Sequence, residues 1–282
     1  MIDETVAEIR EMQTHSSSVV AVKATEALAE LLDREYVSLE EFERDLEQNA
    51  GVLRRSDTSH ASLHNAIREV ERSVVGEATS IEEAKRLLKE TIDRVVTEVE
   101  SGKRKAASKA AETFSDGETI LTHDYSTTVL KAIETATAED ISLSVYVTEA
   151  RPRFLGRRAA RVLADNPHVE TTIVVDGAMG HVLRHCDRIV LGMTCISDRT
   201  YYNRIGTFPL AATANHLDVP VTVVGSSSKI IDEFHFENDD RAPVEVMREP
   251  IEDVAVENPA YDATPIELID QVVTDEGVQS FE

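Results

Sequence analysis

Basic residues are scarce in this chain: 29 Lys and Arg stand against 53 Asp and Glu among 282 residues, a formal net charge of −24. Such a surface repels nucleic acid and anionic membrane at ordinary salt, so direct binding to either is not expected. The acidic residues are spread through almost every segment, with arginine ahead of lysine among the basic ones. That distribution points to solubility in a salt-adapted proteome rather than to one acidic face for a basic partner. Also lacking are an apolar run able to span a bilayer and a signal-peptide pattern, which makes a cytoplasmic location the expectation. The two cysteines, Cys186 and Cys195, show neither metal-ligand spacing nor a disulfide framework. No Gly-x-Gly-x-x-Gly and no Walker A run occurs, which argues against a Rossmann dinucleotide site and an NTPase of that type. The length suffices for two domains with a real core.

What is present falls into two parts, expected as a helical domain over 1–115 and an α/β domain over 116–282. Up to about residue 114 the pattern is helical only. Ser38 with Glu41, and Ser80 with Glu83, form capping-box patterns, each opening a periodic apolar stretch. Leu63, Ile67, Val70 and Val74 keep helical spacing between the boxes, and Ile81, Ala84, Leu88, Ile92, Val95 and Val99 keep one face after the second. An earlier helix carries Val20, Ala24, Ala27, Leu28 and Leu31. Lys103-Arg104-Lys105 is placed at the end of the long helix, where cations suit the negative end of the dipole.

From Asp116-Gly117 onward, β-branched runs at 119–122, 143–147, 171–175, 188–191 and 219–224 alternate with helical stretches. Apolar runs separated by helices mean strands buried on both faces, hence a doubly wound parallel sheet over roughly 116–230. The last fifty residues are acidic and rich in Pro and Asp. They could form a solvated tail, but 251–256 and 266–273 carry enough apolar residues to pack back on the domain.

In an open parallel sheet, ligands bind beyond the carboxyl ends of the strands. There lie Thr122-His123-Asp124-Tyr125-Ser126-Thr127, Thr148-Glu149-Ala150-Arg151-Pro152, Asn203-Arg204-Ile205-Gly206-Thr207 and Gly225-Ser226-Ser227-Ser228-Lys229. Hydroxyls and N–H groups at a helix start suit a phosphate, although Ser126 or Thr127 serving simply as a cap explains the same residues. Arg151 projects at a strand end and could hold a phosphate bidentately, or pair with Glu149. Gly206 before Thr207 lets backbone approach a ligand. His181 and His185, beside Cys186, have a zinc-compatible spacing but no third ligand at a sensible distance, so no metal site is expected.

Taken together, 117–126 (GETILTHDYS), 145–152 (VYVTEARP) with Gly156, 174–178 (VVDGA), 203–207 (NRIGT), Lys229 and 258–277 (NPAYDATPIELIDQVVTDEG) resemble one family. It joins the alpha, beta and delta subunits of translation initiation factor 2B to ribose-1,5-bisphosphate and methylthioribose-1-phosphate isomerases. The resemblance implies a helical N-terminal domain on a Rossmann-like C-terminal domain, dimerising mainly through the latter, with no cofactor. It also implies that the isomerases carry cysteine where this chain has Asp124, and aspartate where it has Thr194. Their phosphate-binding Arg-Gly pair is replaced by Gln13-Thr14-His15-Ser16-Ser17-Ser18, and the lysine of the Asn-Lys-Ile-Gly-Thr motif by Arg204.

With both catalytic positions changed, the expectation is a non-catalytic regulatory or scaffold protein of the initiation factor 2B alpha type. Its expected partners are a second copy of itself, the translation initiation machinery, and a sugar or nucleoside phosphate held by Ser126, Arg151, Asn203, Arg204 and Lys229. The alternative is a sugar-phosphate aldose–ketose isomerase with a rebuilt site, using Asp124 as base.

Overall fold

The computed structural model describes residues 2–11, 17–57, 60–249 and 251–280. The chain forms two compact units, Met1–Gly102 with Ser228–Phe236, and Lys103–Ser227 with Glu237–Glu282.

The first unit is built from α1 (Ile2–Glu11), α2 (Ser17–Ala27), α3 (Leu39–Arg54), α4 (Ala61–Val74) and the first part of α5 (Ile81–Ala111). Val20, Ala21 and Ala24 of α2 share a core with Phe42 and Leu46 of α3, Leu63, Ile67 and Val70 of α4, and Leu88 of α5. The small alanines let α2 lie close against α4. Both expected caps form: Ser38 Oγ and Ser80 Oγ each accept the N–H of the glutamate three residues on, at 3.2 Å. The return bonds land one residue earlier than a capping box predicts, on the N–H groups of Val37 and Thr79, both at 2.8 Å. The N–H and hydroxyl of Thr79 together hold the Glu83 carboxyl below its usual range. Of the Ser-rich stretch 13–18, positions 13–16 lie outside the described residues, while Ser17 and Ser18 open α2. Segment 228–236 belongs to this unit because Asn65 Nδ2 donates to the carbonyls of Ser228 (2.7 Å) and Ile230 (3.2 Å). Phe234 also meets His64 edge-on, with centroids 4.7 Å apart.

Lys103-Arg104-Lys105 does not end the long helix. Buried Ala106, Ala107, Ala110 and Ala111 carry α5 on to Ala111, so these cations sit inside the helix and not at its negative end.

The second unit begins after a change of pattern, with β1 (Glu118–Thr122), α6 (Thr127–Thr137), β2 (Leu143–Thr148), α7 (Leu155–Ala164) and β3 (Val169–Val174). Next come α8 (Met179–Val182), β4 (Arg188–Gly192), β5 (Cys195–Ser197), β6 (Thr200–Arg204), α9 (Thr207–His216) and β7 (Val221–Val224). The C-terminal segment adds β8 (Tyr261–Pro265), β9 (Gln271–Val273) and β10 (Val278–Ser280). A seven-stranded sheet runs β10-β9-β7-β4-β1-β2-β3, parallel except for β10. This is the expected α/β architecture of helical region plus mostly parallel sheet. Strand order reverses at β1 and β4, which makes their carboxyl ends the topological switch point.

Two features differ from expectation. β3 is an edge strand and leaves Ile173 45% exposed, so its apolar run does not signal burial on both faces. A second sheet, β5-β6-β8, is antiparallel, and its β6–β8 pair joins residues about sixty positions apart. It forms because the C-terminal segment is not a free tail: Ile266, Ile269, Val272 and Val273 are buried. The other apolar stretch does not pack back, since Ile251 and Val254 are exposed. Among the described residues no helix is long and apolar enough to cross a membrane.

Candidate active site

At the end of β1 the chain turns at once, with Asp124 at φ +64, a left-handed conformation that Asp tolerates better than most residues. His123 beside it is buried and bound at both ring nitrogens. Its Nε2 lies 2.8 Å from the Ile205 carbonyl oxygen and so must carry a hydrogen, since a carbonyl only accepts. Its Nδ1 lies 2.6 Å from Thr148 Oγ1. His123 thereby ties the ends of β1 and β2 to the turn before α9, and neither ring nitrogen is left for a substrate.

That turn brings Arg204 to Asp124, with Nε 3.3 Å from Oδ2 and side chains 22% and 10% exposed. The Arg204 guanidinium also stacks on Tyr261, 4.7 Å from the ring centre. At the start of α9, Asp262 Oδ2 accepts the N–H groups of Gly206 (2.7 Å) and Phe208 (3.0 Å). The anion place that the Asn-Arg-Ile-Gly-Thr turn suggested is thus filled by the chain's own carboxylate.

At the end of β2, Asp176 accepts the N–H groups of Ala150 (2.8 Å) and Arg151 (2.7 Å), fixing the turn that carries Arg151. Glu149 pairs with Arg157, not with Arg151. Arg151 instead donates to the Val246 carbonyl at 3.1 Å and lies over the Phe154 ring. Arg151, Arg153, Arg204, Arg241, Asp124 and Asn258 line one cleft. In a chain of net charge −24, its charged lining is four arginines and a single carboxylate.

The expected ligand residues therefore separate. Arg151 and Arg204 line the cleft; Ser126 and Asn203 are not among its lining residues. Ser126 is the cap of α6, accepting the Val129 N–H at 3.3 Å. Asn203 is buried and bridges Thr194, whose hydroxyl donates to it at 3.3 Å, and Thr207, to which its amide donates at 3.2 Å. Lys229 closes a short helical turn and falls in the segment that groups with the helical unit. Asp198 is exposed on the β5–β6 turn, where the Ser197 hydroxyl donates to it at 3.3 Å. His181 and His185 lie with ring centres 6.2 Å apart, and among the described residues no group of three metal-capable side chains forms. Sequence reasoning missed Arg153 and Arg241. Arg153 was within reach, two residues past Arg151 in the same run; Arg241 stands in irregular chain with no periodic signal.

Residues 13–280 match the model of the initiation factor 2 subunit family. The chain belongs to that family. Among curated relatives, a ribose 1,5-bisphosphate isomerase of Haloterrigena turkmenica is 32% identical, over 97% of this chain and 88% of the relative. One of Methanocaldococcus jannaschii is 28% identical, over 99% and 91%. Among solved structures, the Pyrococcus horikoshii translation initiation factor eIF-2B superposes with a TM-score of 0.81 at 23% identity, covering 98% of this chain and 96% of that one. The 5-methylthioribose 1-phosphate isomerase of the same organism gives 0.76 at 22% identity, over 99% and 84%. These likenesses confirm the family's fold.

They also correct the functional expectation. A non-catalytic regulatory or scaffold role was inferred from the changes at Asp124 and Thr194. Near full-length relatives at 26–32% identity carry the name of an enzyme, and so favour the isomerase alternative. The physical weakness of the earlier inference is that a cysteine is not the only proton carrier: the residue standing there, Asp124, is itself an acid–base group in the cleft.

Proposed function

We propose that this family member is a sugar-phosphate aldose–ketose isomerase acting on a pentose phosphate of the ribose 1,5-bisphosphate type. The observation that carries the proposal is the arginine-lined cleft with one carboxylate, Asp124, at the switch point of the sheet. Aldose–ketose interconversion moves one hydrogen between adjacent carbons and one proton between their oxygens. The Asp124 carboxylate takes the proton from one carbon and returns it to the other, while the hydroxyl proton passes between the two adjacent oxygens of the cis-enediolate, so the base ends as it began. Arg204, in contact with Asp124 Oδ2, orients the carboxylate. The guanidiniums hold phosphoryl oxygens and stabilise the negative charge that builds on oxygen as the carbon loses its proton.

The test is turnover of ribose 1,5-bisphosphate by the purified full chain, followed by appearance of the ketose isomer. Asp124→Asn, which keeps the shape and tolerates the left-handed backbone, is expected to lower kcat by about 10²–10⁴-fold while substrate still binds. Absence of turnover by the wild-type chain over a wide range of salt, or full activity in Asp124→Asn, would sink the proposal.

A further inference from the structure

Arg204 is engaged with Asp124 and Arg151 with Val246 and Phe154, which leaves Arg153 and Arg241 without a part in proton transfer. Arg153 is mostly buried, its side chain 23% exposed. Its Nη1 is buried and meets no acceptor. The closest carboxylate contact, Glu245 Oε1 to Nε, is 3.7 Å, too long for a hydrogen bond. A buried charged donor without an acceptor is costly, and such groups in folded proteins call for an explanation, a bound ligand among them. Burial, and after it the neighbouring Arg241 guanidinium, push Arg153 below the ordinary arginine range. Two guanidiniums that repel each other across one cleft are stabilised together by a group carrying more than one negative charge. Arg241 is held in place for this, its side chain 6% exposed and its Nη2 2.9 Å from Asp239. Neither Asp239 nor Glu245 is among the residues lining the cleft.

We propose that Arg153 and Arg241 form a phosphoryl subsite of the cleft, so that it selects sugars carrying two phosphoryl groups over sugars carrying one. The proposal rests on the sugar-phosphate reading above and names the residues that set its preference for a second phosphoryl group. A guanidinium fork matches phosphoryl oxygens in a two-bond geometry that an ammonium does not reproduce.

The experiment is calorimetric titration of the full chain with ribose 1,5-bisphosphate and with ribose 5-phosphate, in the wild type, Arg153→Gln and Arg153→Lys. The wild type is expected to prefer the bisphosphate by about tenfold or more, the scale of one charge-assisted pair. In Arg153→Gln the two Kd values converge to within roughly threefold, mainly through weaker bisphosphate binding. Arg153→Lys, which keeps the charge and loses the fork, falls between. Equal affinities in the wild type, or an unchanged preference in Arg153→Gln, overturn the subsite. Should Arg153→Gln fail to fold by circular dichroism, Arg153→Lys decides: a reduced preference supports the subsite and an unchanged one overturns it. Because binding is read apart from turnover, the two readings fail separately. Bisphosphate preference without turnover upholds the subsite and removes the isomerase; turnover without preference does the reverse.

Discussion

At Gly206 the backbone takes φ +103, and a Cβ there would lie 2.8 Å from the His123 ring. Any side chain meets two penalties at once, a conformation that L-residues avoid and a collision with a ring bound at both nitrogens. Gly206→Ala is therefore expected to lower stability by roughly 2–4 kcal/mol, read by denaturant unfolding, with loss of turnover in the fraction that folds. A change within about 0.5 kcal/mol would mean that the turn relaxes without disturbing His123. The need for glycine was legible in the sequence, but as room for a ligand; the structure shows that the room is taken by a histidine. Arg151, Arg204 and Asp124 were likewise legible, because strand-end positions follow from the alternation of apolar runs and helices. Ser126 and Asn203 were open to two readings for one common reason. A hydroxyl or amide at a helix start serves an anion or the backbone equally well, and only coordinates reveal that Ser126 caps α6 and Asn203 bridges two threonines.

The start of α9 is held from outside its own sequence, since its first free N–H groups are bonded to Asp262 at the beginning of β8. One carboxylate accepting two amides does the work of an N-cap and complements the helix dipole. Asp262→Ala is expected to cost about 1–2 kcal/mol and to loosen the turn that presents Arg204, so that sugar-phosphate affinity falls along with stability. Asp262→Asn keeps one accepting oxygen and should recover most of the stability. If Asp262→Ala leaves both quantities unchanged, the contact is incidental. Strands β1, β2, β4 and β7 were readable because β-branched runs hidden from water leave a strong compositional mark, and β3 because its run is β-branched even at the sheet edge. β8 was not, since Tyr-Asp-Ala-Thr-Pro mixes polar and apolar residues and its partner β6 stands some sixty positions earlier. α5 outlasted its expected end for a related reason: four buried alanines past the basic cluster continue the apolar face, and alanine registers weakly in a hydrophobic pattern.

For the whole molecule, a net charge of −24 means that folding gathers carboxylates against their mutual repulsion, which salt screens over a Debye length of ~10 Å at 0.1 M and ~3 Å at 1 M. The midpoint of thermal unfolding is therefore expected to rise as KCl is raised from about 0.1 M to 1 M. Salt also strengthens apolar burial, so the charge contribution needs its own control. Replacing exposed Glu47, Glu139 and Glu252 by Gln should lift the low-salt midpoint and shrink the gain from salt. An unchanged gain would assign the effect to burial alone. The arginine-lined cleft reverses the local sign of the field, and there the same salt acts the other way. Screening weakens the attraction between guanidinium and phosphoryl group, so the affinity for ribose 1,5-bisphosphate should fall over the range in which the fold becomes more stable. An affinity that instead rose with salt in step with the unfolding midpoint would mean that binding follows the population of folded protein, not the charge of the cleft.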